Sequence, residues 1–167
     1  MTSSSRVGLG FDIHQFAESV DAKRPLILGG VTFPGERGLI GHSDADVVAH
    51  AVADALLGAA ALGDIGEHFS DTDPKWKDAD SLMLLKQVAR MVNAAGYDIG
   101  NVDCSVVCEQ PKLAPNRSSM QICLSEAIGA PVTVKGRRAE GLGALGRSEG
   151  IACWAVAVVN QSAARNQ

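Results

Sequence analysis

The 167 residues carry a formal net charge of −4, which leaves no basic footprint for nucleic acid as a main partner. Hydrophobic residues make up 46% of the chain and aromatic ones only 4%, so a single domain over residues 1–167 with a core of Ala, Val, Leu and Ile is expected. No apolar run suffices to span a bilayer, since Asp54 and Asp64 interrupt the Ala-rich stretch after His50; the start MTSSSR has no apolar signal region, and a cytoplasmic protein without a membrane partner is expected.

In chain order, residues 6–14 predict a strand that ends in polar side chains, and 25–33 a second strand with a bulge or close approach at Gly29 and Gly30. After a loop over 35–41, Ser43 is the expected N-cap of a helix whose apolar face includes Val47, Val48, Ala51, Val52, Ala55, Leu56 and Ala59 and which stops near Gly63. A loop rich in Asp, Gly and Pro runs from Asp64 to about Asp80. Ser81 then caps a helix over 82–95 that Gly96 ends. Strands are predicted over 102–108, 131–135 and 151–159, with a helix over about 117–128 stopped by Gly129 and a glycine-rich connection over 140–150. The last strand is apolar at almost every position and reads as covered on both faces. The order β-β-α-α-β-α-β-β predicts an α+β fold: a mixed four- to five-stranded sheet with helices on one face.

Residues two apart on a strand share a face, so Asp12 and His14 present a carboxylate and an imidazole side by side. Zinc accepts that donor set, but so does a plain surface pair or a histidine held by aspartate. The preceding G-L-G lacks the third glycine and the following helix of a dinucleotide fingerprint, so its glycines are assigned to close strand packing. Asp46, His50 and Asp54 recur every four residues on one helical face, which fits a metal ligand held by flanking carboxylates, or a satisfied core histidine. His42 and Ser43 stand where helix N–H groups can meet phosphate. The carboxylates around Asp64 and Asp71–Asp73 fit a polyol-binding loop or a solvated turn. Lys112, Arg137, Arg138 and Glu140 fit a phosphate and Mg²⁺ site or a mixed-charge loop. Cys104, Cys108, Cys123 and Cys153 form no C-x-x-C pair and read as buried, reduced thiols.

Together, the stretches GLGFDIHQF, GHSDADVVAHAVADALLGAAALGDIGEHFSDTDP, GNVDCSVVCEQPK and GRSEGIAC resemble the 2-C-methyl-D-erythritol 2,4-cyclodiphosphate synthase family of the non-mevalonate isoprenoid pathway, over roughly Arg6 to Val159. The resemblance implies a phosphorus–oxygen lyase assembled as a homotrimer, with sites between neighbouring subunits. It implies one Zn²⁺ per subunit on Asp12, His14 and His50, with a fourth position for a substrate phosphate oxygen. Asp12, His14, His42 and Ser43 are then substrate contacts, with His42 also counted as catalytic. Asp64, Ile65, Gly66, Phe69, Ser70, Asp71, Thr72 and Asp73 would hold the methylerythritol part. The neighbouring subunit would take the cytidine diphosphate on Cys108, Glu109, Gln110, Pro111 and Lys112, with Glu140 as the Mg²⁺ ligand.

Two positions depart from the family. Arg137-Arg138-Ala139 stands where a run of threonines is usual, so the family's transition-state threonine is not carried over and Arg138 is expected to reach the diphosphate. Ala144 stands where an aromatic residue is common near the threefold axis, although Phe11 and Arg147 match positions lining a cavity there. A zinc-dependent phosphoester hydrolase and a non-catalytic trimeric metal-stabilised scaffold are the rival readings.

Overall fold

Alternation along the first strand decides where everything else packs. In the structure, a computed structural model that describes residues 4–21 and 23–162, β1 runs from Ser5 to Gln15 with Gly8, Gly10, Asp12 and His14 on one face. The opening Met1-Thr2-Ser3 of the MTSSSR stretch lies outside the described residues. Helix α1 (Val47–Ala60) lies directly on the glycines: a Cβ at Gly8 would fall on the backbone of Ala55 and Ala59, and one at Gly10 on that of Ala51 and Ala55. The small residues of the helix, four apart, and the glycines of the strand are one packing device, as the failed dinucleotide fingerprint predicted.

The main sheet has four strands in the order β1-β6-β4-β5, with β4 at Tyr97–Val107, β5 at Val132–Arg137 and β6 at Gly150–Gln161. Strand β6 is antiparallel to both β1 and β4, while β5 is parallel to β4, so the sheet is mixed. Helices α1, α3 (Ser81–Ala94) and α4 (Arg117–Ile128) fill one side. Leu56, Leu57, Leu85, Met120, Leu124, Val102, Cys104, Val106, Ile151 and Cys153 are fully or almost fully buried between the layers. Short helices α2 (Ile65–His68) and α5 (Gly143–Gly146) and a 3₁₀ turn at Pro74–Trp76 interrupt stretches expected to be loop.

Several expectations need correction. Residues 25–33 are not one strand: β2 (Leu26–Leu28) and β3 (Val31–Phe33) form a separate hairpin. Gly29 and Gly30 have φ of +58° and +76°, the paired left-handed turn that tightly joined antiparallel strands favour. Neither serine caps its helix. Asp46 caps α1, accepting from Val48 N and Ala49 N, and Asp80 caps α3, accepting from Leu82 N and Met83 N. An aspartate stood next to or near each serine, and tertiary partners took the serine away. Strand β6 is not covered on both faces, because Trp154 and Val156 remain exposed opposite the helices. With Val7, Leu9, Phe11 and Ile13 of β1 they leave an open apolar face on the sheet, where the Phe11 and Trp154 rings meet at a tilt of 48° with centroids 4.9 Å apart.

Candidate metal centre and substrate cleft

Three donor atoms from two elements converge at the end of β1. His14 Nε2 and His50 Nδ1 each lie 3.0 Å from Asp12 Oδ2 and 3.4 Å from one another. A tetrahedral zinc with bonds of about 2.0–2.1 Å separates its ligand atoms by about 3.3 Å, so the triangle already has nearly the right edges.

The other ring nitrogens fix which atoms face inward. His14 Nδ1 donates to the Ile40 carbonyl at 2.7 Å, which leaves Nε2 as the lone-pair atom. His50 Nε2 lies 2.8 Å from Ser81 Oγ and 3.1 Å from Ser43 Oγ. The Ser81 hydroxyl donates to Asp44, so its oxygen accepts from His50 Nε2–H, and His50 Nδ1 is turned toward Asp12. A carboxylate and two imidazole lone pairs therefore face one another, an arrangement that calls for a cation between them. Asp12, His14 and His50 form the cluster of metal-competent side chains among the described residues. Burial alone would raise the Asp12 carboxyl, but hydrogen bonds and charge from His14 and His50 hold it well below the usual carboxylate range. Burial likewise works against protonated His14, and Asp12 outweighs it to raise the imidazole.

The flanking carboxylates do not support His50 as the four-residue spacing suggested. Asp46 is fully buried and accepts from Gly29 N at 2.8 Å and Gly30 N at 2.7 Å, joining the hairpin turn to α1. Asp54 accepts from Ile65 N at 3.3 Å, fixing the start of α2. Spacing placed both on the face of His50, yet rotamers carried them to backbone amides. Ser43 and Ser81, both expected as caps and Ser43 also as a phosphate contact, are the residues that hold His50, and only the third dimension distinguishes a cap from such a partner.

A cavity of about 450 Å³ opens over the triad, with His42, Ser43, Ile65, Gly66, Phe69 and Asp71 along its walls. Trp76 and Leu84 also line it and were not anticipated; Trp76 meets Phe69 edge to face at 5.0 Å. The isolated Trp in a charged loop was the one available signal. His42 Nε2 bonds the Asp73 carbonyl at 3.0 Å, tying the 70–73 segment to the wall. Of the remaining loop candidates, Asp64 caps α2 through Glu67 N, Ser70 Oγ bonds Thr72 Oγ1 at 2.8 Å, and Asp73 caps the 3₁₀ turn.

A second cavity of about 340 Å³ lies against Cys108, Glu109, Gln110, Pro111 and Lys112, and is closed by Arg117 and the end of β5. The Gln110–Pro111 peptide is cis. Five cations border it, Lys112, Arg117, Lys135, Arg137 and Arg138, against the single carboxylate of Glu109. Glu140 stands outside this lining at φ +53°, and Arg147 pairs with Glu149 at 2.7 Å. Register puts Ile13, Ala152, Val107 and Arg137 in one row across the sheet. The triad and the second cavity thus occupy the same end of the sheet, about 14 Å or three strand spacings apart within a chain.

Fold and site together define an α+β protein with an Asp-His-His cluster able to hold a metal ion at the mouth of a cleft and a cationic pocket at the same sheet end. The YgbB family profile matches residues 5–160, and the chain belongs to that family. A 2-C-methyl-D-erythritol 2,4-cyclodiphosphate synthase of Bacillus cereus (strain ATCC 10987 / NRS 248) is 52% identical over 159 residues, covering 93% of this chain and 98% of that protein. The CDP complex of IspF from Plasmodium falciparum superimposes with a TM-score of 0.82 at 31% identity, covering 98% of this chain and 100% of that one. The bifunctional IspDF from Campylobacter jejuni gives a TM-score of 0.89 at 40% identity; 96% of this chain aligns, spanning 43% of that longer protein.

Proposed function

We propose that this chain converts 4-diphosphocytidyl-2-C-methyl-D-erythritol 2-phosphate to 2-C-methyl-D-erythritol 2,4-cyclodiphosphate and CMP, a phosphorus–oxygen lyase step of the non-mevalonate isoprenoid pathway. The observation that carries the reading is the convergence of Asp12, His14 and His50 in a chain 52% identical to the Bacillus cereus synthase. An oxygen of the 2-phosphate attacks the β-phosphorus, the bond from that phosphorus to the CMP oxygen breaks, and CMP leaves with the electron pair. No protein nucleophile is needed, since phosphoryl transfer depends chiefly on positioning and neutralisation of charge.

Asp12, His14 and His50 fit Zn²⁺ in donor chemistry and spacing, and the metal when bound supplies a Lewis acid for a substrate phosphate oxygen. His42 and Ser43 bind that phosphate. Ile65, Gly66, Phe69 and Asp71 of the cavity wall, with their chain neighbours Asp64, Ser70, Thr72 and Asp73, hold the methylerythritol part, and Phe69 and Trp76 exclude water. The Cys108–Lys112 turn takes the cytidine, Arg138 serves the diphosphate, and Glu140 would hold the Mg²⁺ that accompanies a diphosphate. The bound CDP of the Plasmodium falciparum relative supports a cytidine nucleotide partner.

A homotrimer with shared sites fits two features. The face of Val7, Leu9, Phe11, Ile13, Trp154 and Val156 is exposed on neighbouring strands of one chain, the kind of apolar patch that serves as an interaction surface. The triad cleft and the cationic pocket share no lining residue and lie about three strand spacings apart, which supports a site completed by one subunit's triad and a neighbour's pocket. No helix among the described residues is long and apolar enough to cross a membrane. The four free cysteines suit a reducing, cytoplasmic setting.

Incubation of the zinc- and magnesium-loaded protein with the substrate, followed by ³¹P NMR, tests the reading. A cyclic diphosphate with stoichiometric CMP is expected. An open-chain phosphate with CMP would identify a hydrolase, and an unchanged spectrum a scaffold.

A further inference from the structure

We propose that Glu109 is a positioning residue, a clasp that holds the turn at 138–141 so that Arg138 stands ready at the wall of the cationic cavity, with Glu140 fixed in the same turn, for a nucleoside diphosphate. The proposal rests on the reading of that cavity as the nucleotide site. Both carboxylate oxygens of Glu109 are engaged, and by the same turn. Oε2 accepts from Arg138 Nε at 3.1 Å and Nη2 at 2.8 Å, and Oε1 accepts from Gly141 N at 3.3 Å. The anchored residues flank Glu140, which adopts a φ of +53°, a left-handed conformation that side-chain-bearing residues resist. The strands reach this point through one last backbone bond, Cys108 N to the Arg137 carbonyl at 3.0 Å. Beyond it, Glu109 continues the connection with its side chain.

A carboxylate among the five cations of an anion site is otherwise a liability, because it repels the ligand that the cations attract. Its retention makes sense where its bonds hold the turn. The Arg138 hydrogen bond, followed by the amide of Gly141, keeps the Glu109 carboxyl below the usual range, so the clasp is charged at neutral pH. Arg138 replaces a small hydroxyl residue of the family pattern, and a long guanidinium needs a partner to hold it in one direction.

The two roles of the carboxylate, repulsion and positioning, predict opposite signs. Calorimetric titration of the zinc-loaded protein with CDP and Mg²⁺ should show Glu109→Ala binding about tenfold more weakly than wild type, the loss of roughly one charge-assisted contact. Glu109→Gln retains a carbonyl for Gly141 N and should fall between the two. Steady-state kinetics should show KM raised in Glu109→Ala with kcat within about twofold, since saturating substrate re-forms the turn. Zinc content should be unchanged in both variants, as the three donor side chains stay intact. If Glu109→Ala binds CDP as tightly as wild type or more tightly, the clasp is wrong and the carboxylate only repels. If wild type itself binds no CDP, the nucleotide reading falls and takes the proposal with it.

Discussion

His50 shows how much of a site can depend on residues that look structural. Its Nε2 rests on Ser81 and Ser43, and Ser81 in turn donates to Asp44, so a chain of hydroxyl and carboxylate sets the tautomer that aims Nδ1 at Asp12. Partners of this kind usually change metal affinity about 10–100-fold. Ser81→Ala should therefore weaken zinc binding at least about tenfold in competition with a chromogenic chelator, while far-UV circular dichroism stays unchanged because Asp80 still caps α3. The thiols offer a separate test. Burial first, then the Glu109 carboxylate, pushes Cys108 up to about 11. A raised thiol value favours the folded state below the ordinary thiol range, and that contribution disappears as pH climbs through about 11. At pH 8 a disulfide reagent should label the half-exposed Cys123 promptly, and Cys104, Cys108 and Cys153 only after denaturation.

At the scale of elements, the contact between β1 and α1 sets the position of the Asp12-His14-His50 donor triad. Gly8 and Gly10 let the helix approach until Asp12, His14 and His50 meet, and a methyl group at Gly10 would lie on the Ala51 carbonyl. Gly10→Ala should cost about 2 kcal/mol or more in urea unfolding and lower metal affinity as well, since the helix carrying His50 must retreat. Equal stability and equal affinity in that variant would show that the close approach does not matter. The hairpin is joined to the same helix by Asp46, whose carboxylate serves Gly29 N, Gly30 N, Val48 N and Ala49 N. At the opposite edge of the sheet, β5 has its outer amides covered by α4: Val132 N bonds Ser125 Oγ at 2.9 Å and Val134 N bonds Gln121 Oε1 at 3.0 Å. That edge is closed to further strand pairing.

For the whole molecule, the proposed trimer rests on the apolar face opposite the helices and on the separation of the two cavities. Leu9, at 66% exposure, sits on that face away from α1 and from the donor triad. Leu9→Glu should shift the sedimentation profile from trimer to monomer and remove cyclase activity, with zinc still bound at one per chain, because the triad is built within a chain. A monomeric variant with full turnover would show that each chain carries a complete site.

Periodicity and chain punctuation determined a good part of this protein. The Asp12–His14 pairing followed from strand alternation, the apolar face of α1 from helical periodicity, the end of α4 from Gly129, and the mixed sheet from element order. The family came from long matching stretches, which also brought His50 to the triad. Tertiary structure decided the rest, chiefly where short polar side chains had several backbone amides within reach. Ser43 or Asp46, and Ser81 or Asp80, are almost equivalent caps locally, and contact with His50 selects between them. The hairpin at Gly29-Gly30 was hidden because strands of three residues are too short to show a period. The open face of β6 was hidden because an apolar strand reads the same whether its cover comes from its own chain or from another, and only the layer arrangement tells them apart.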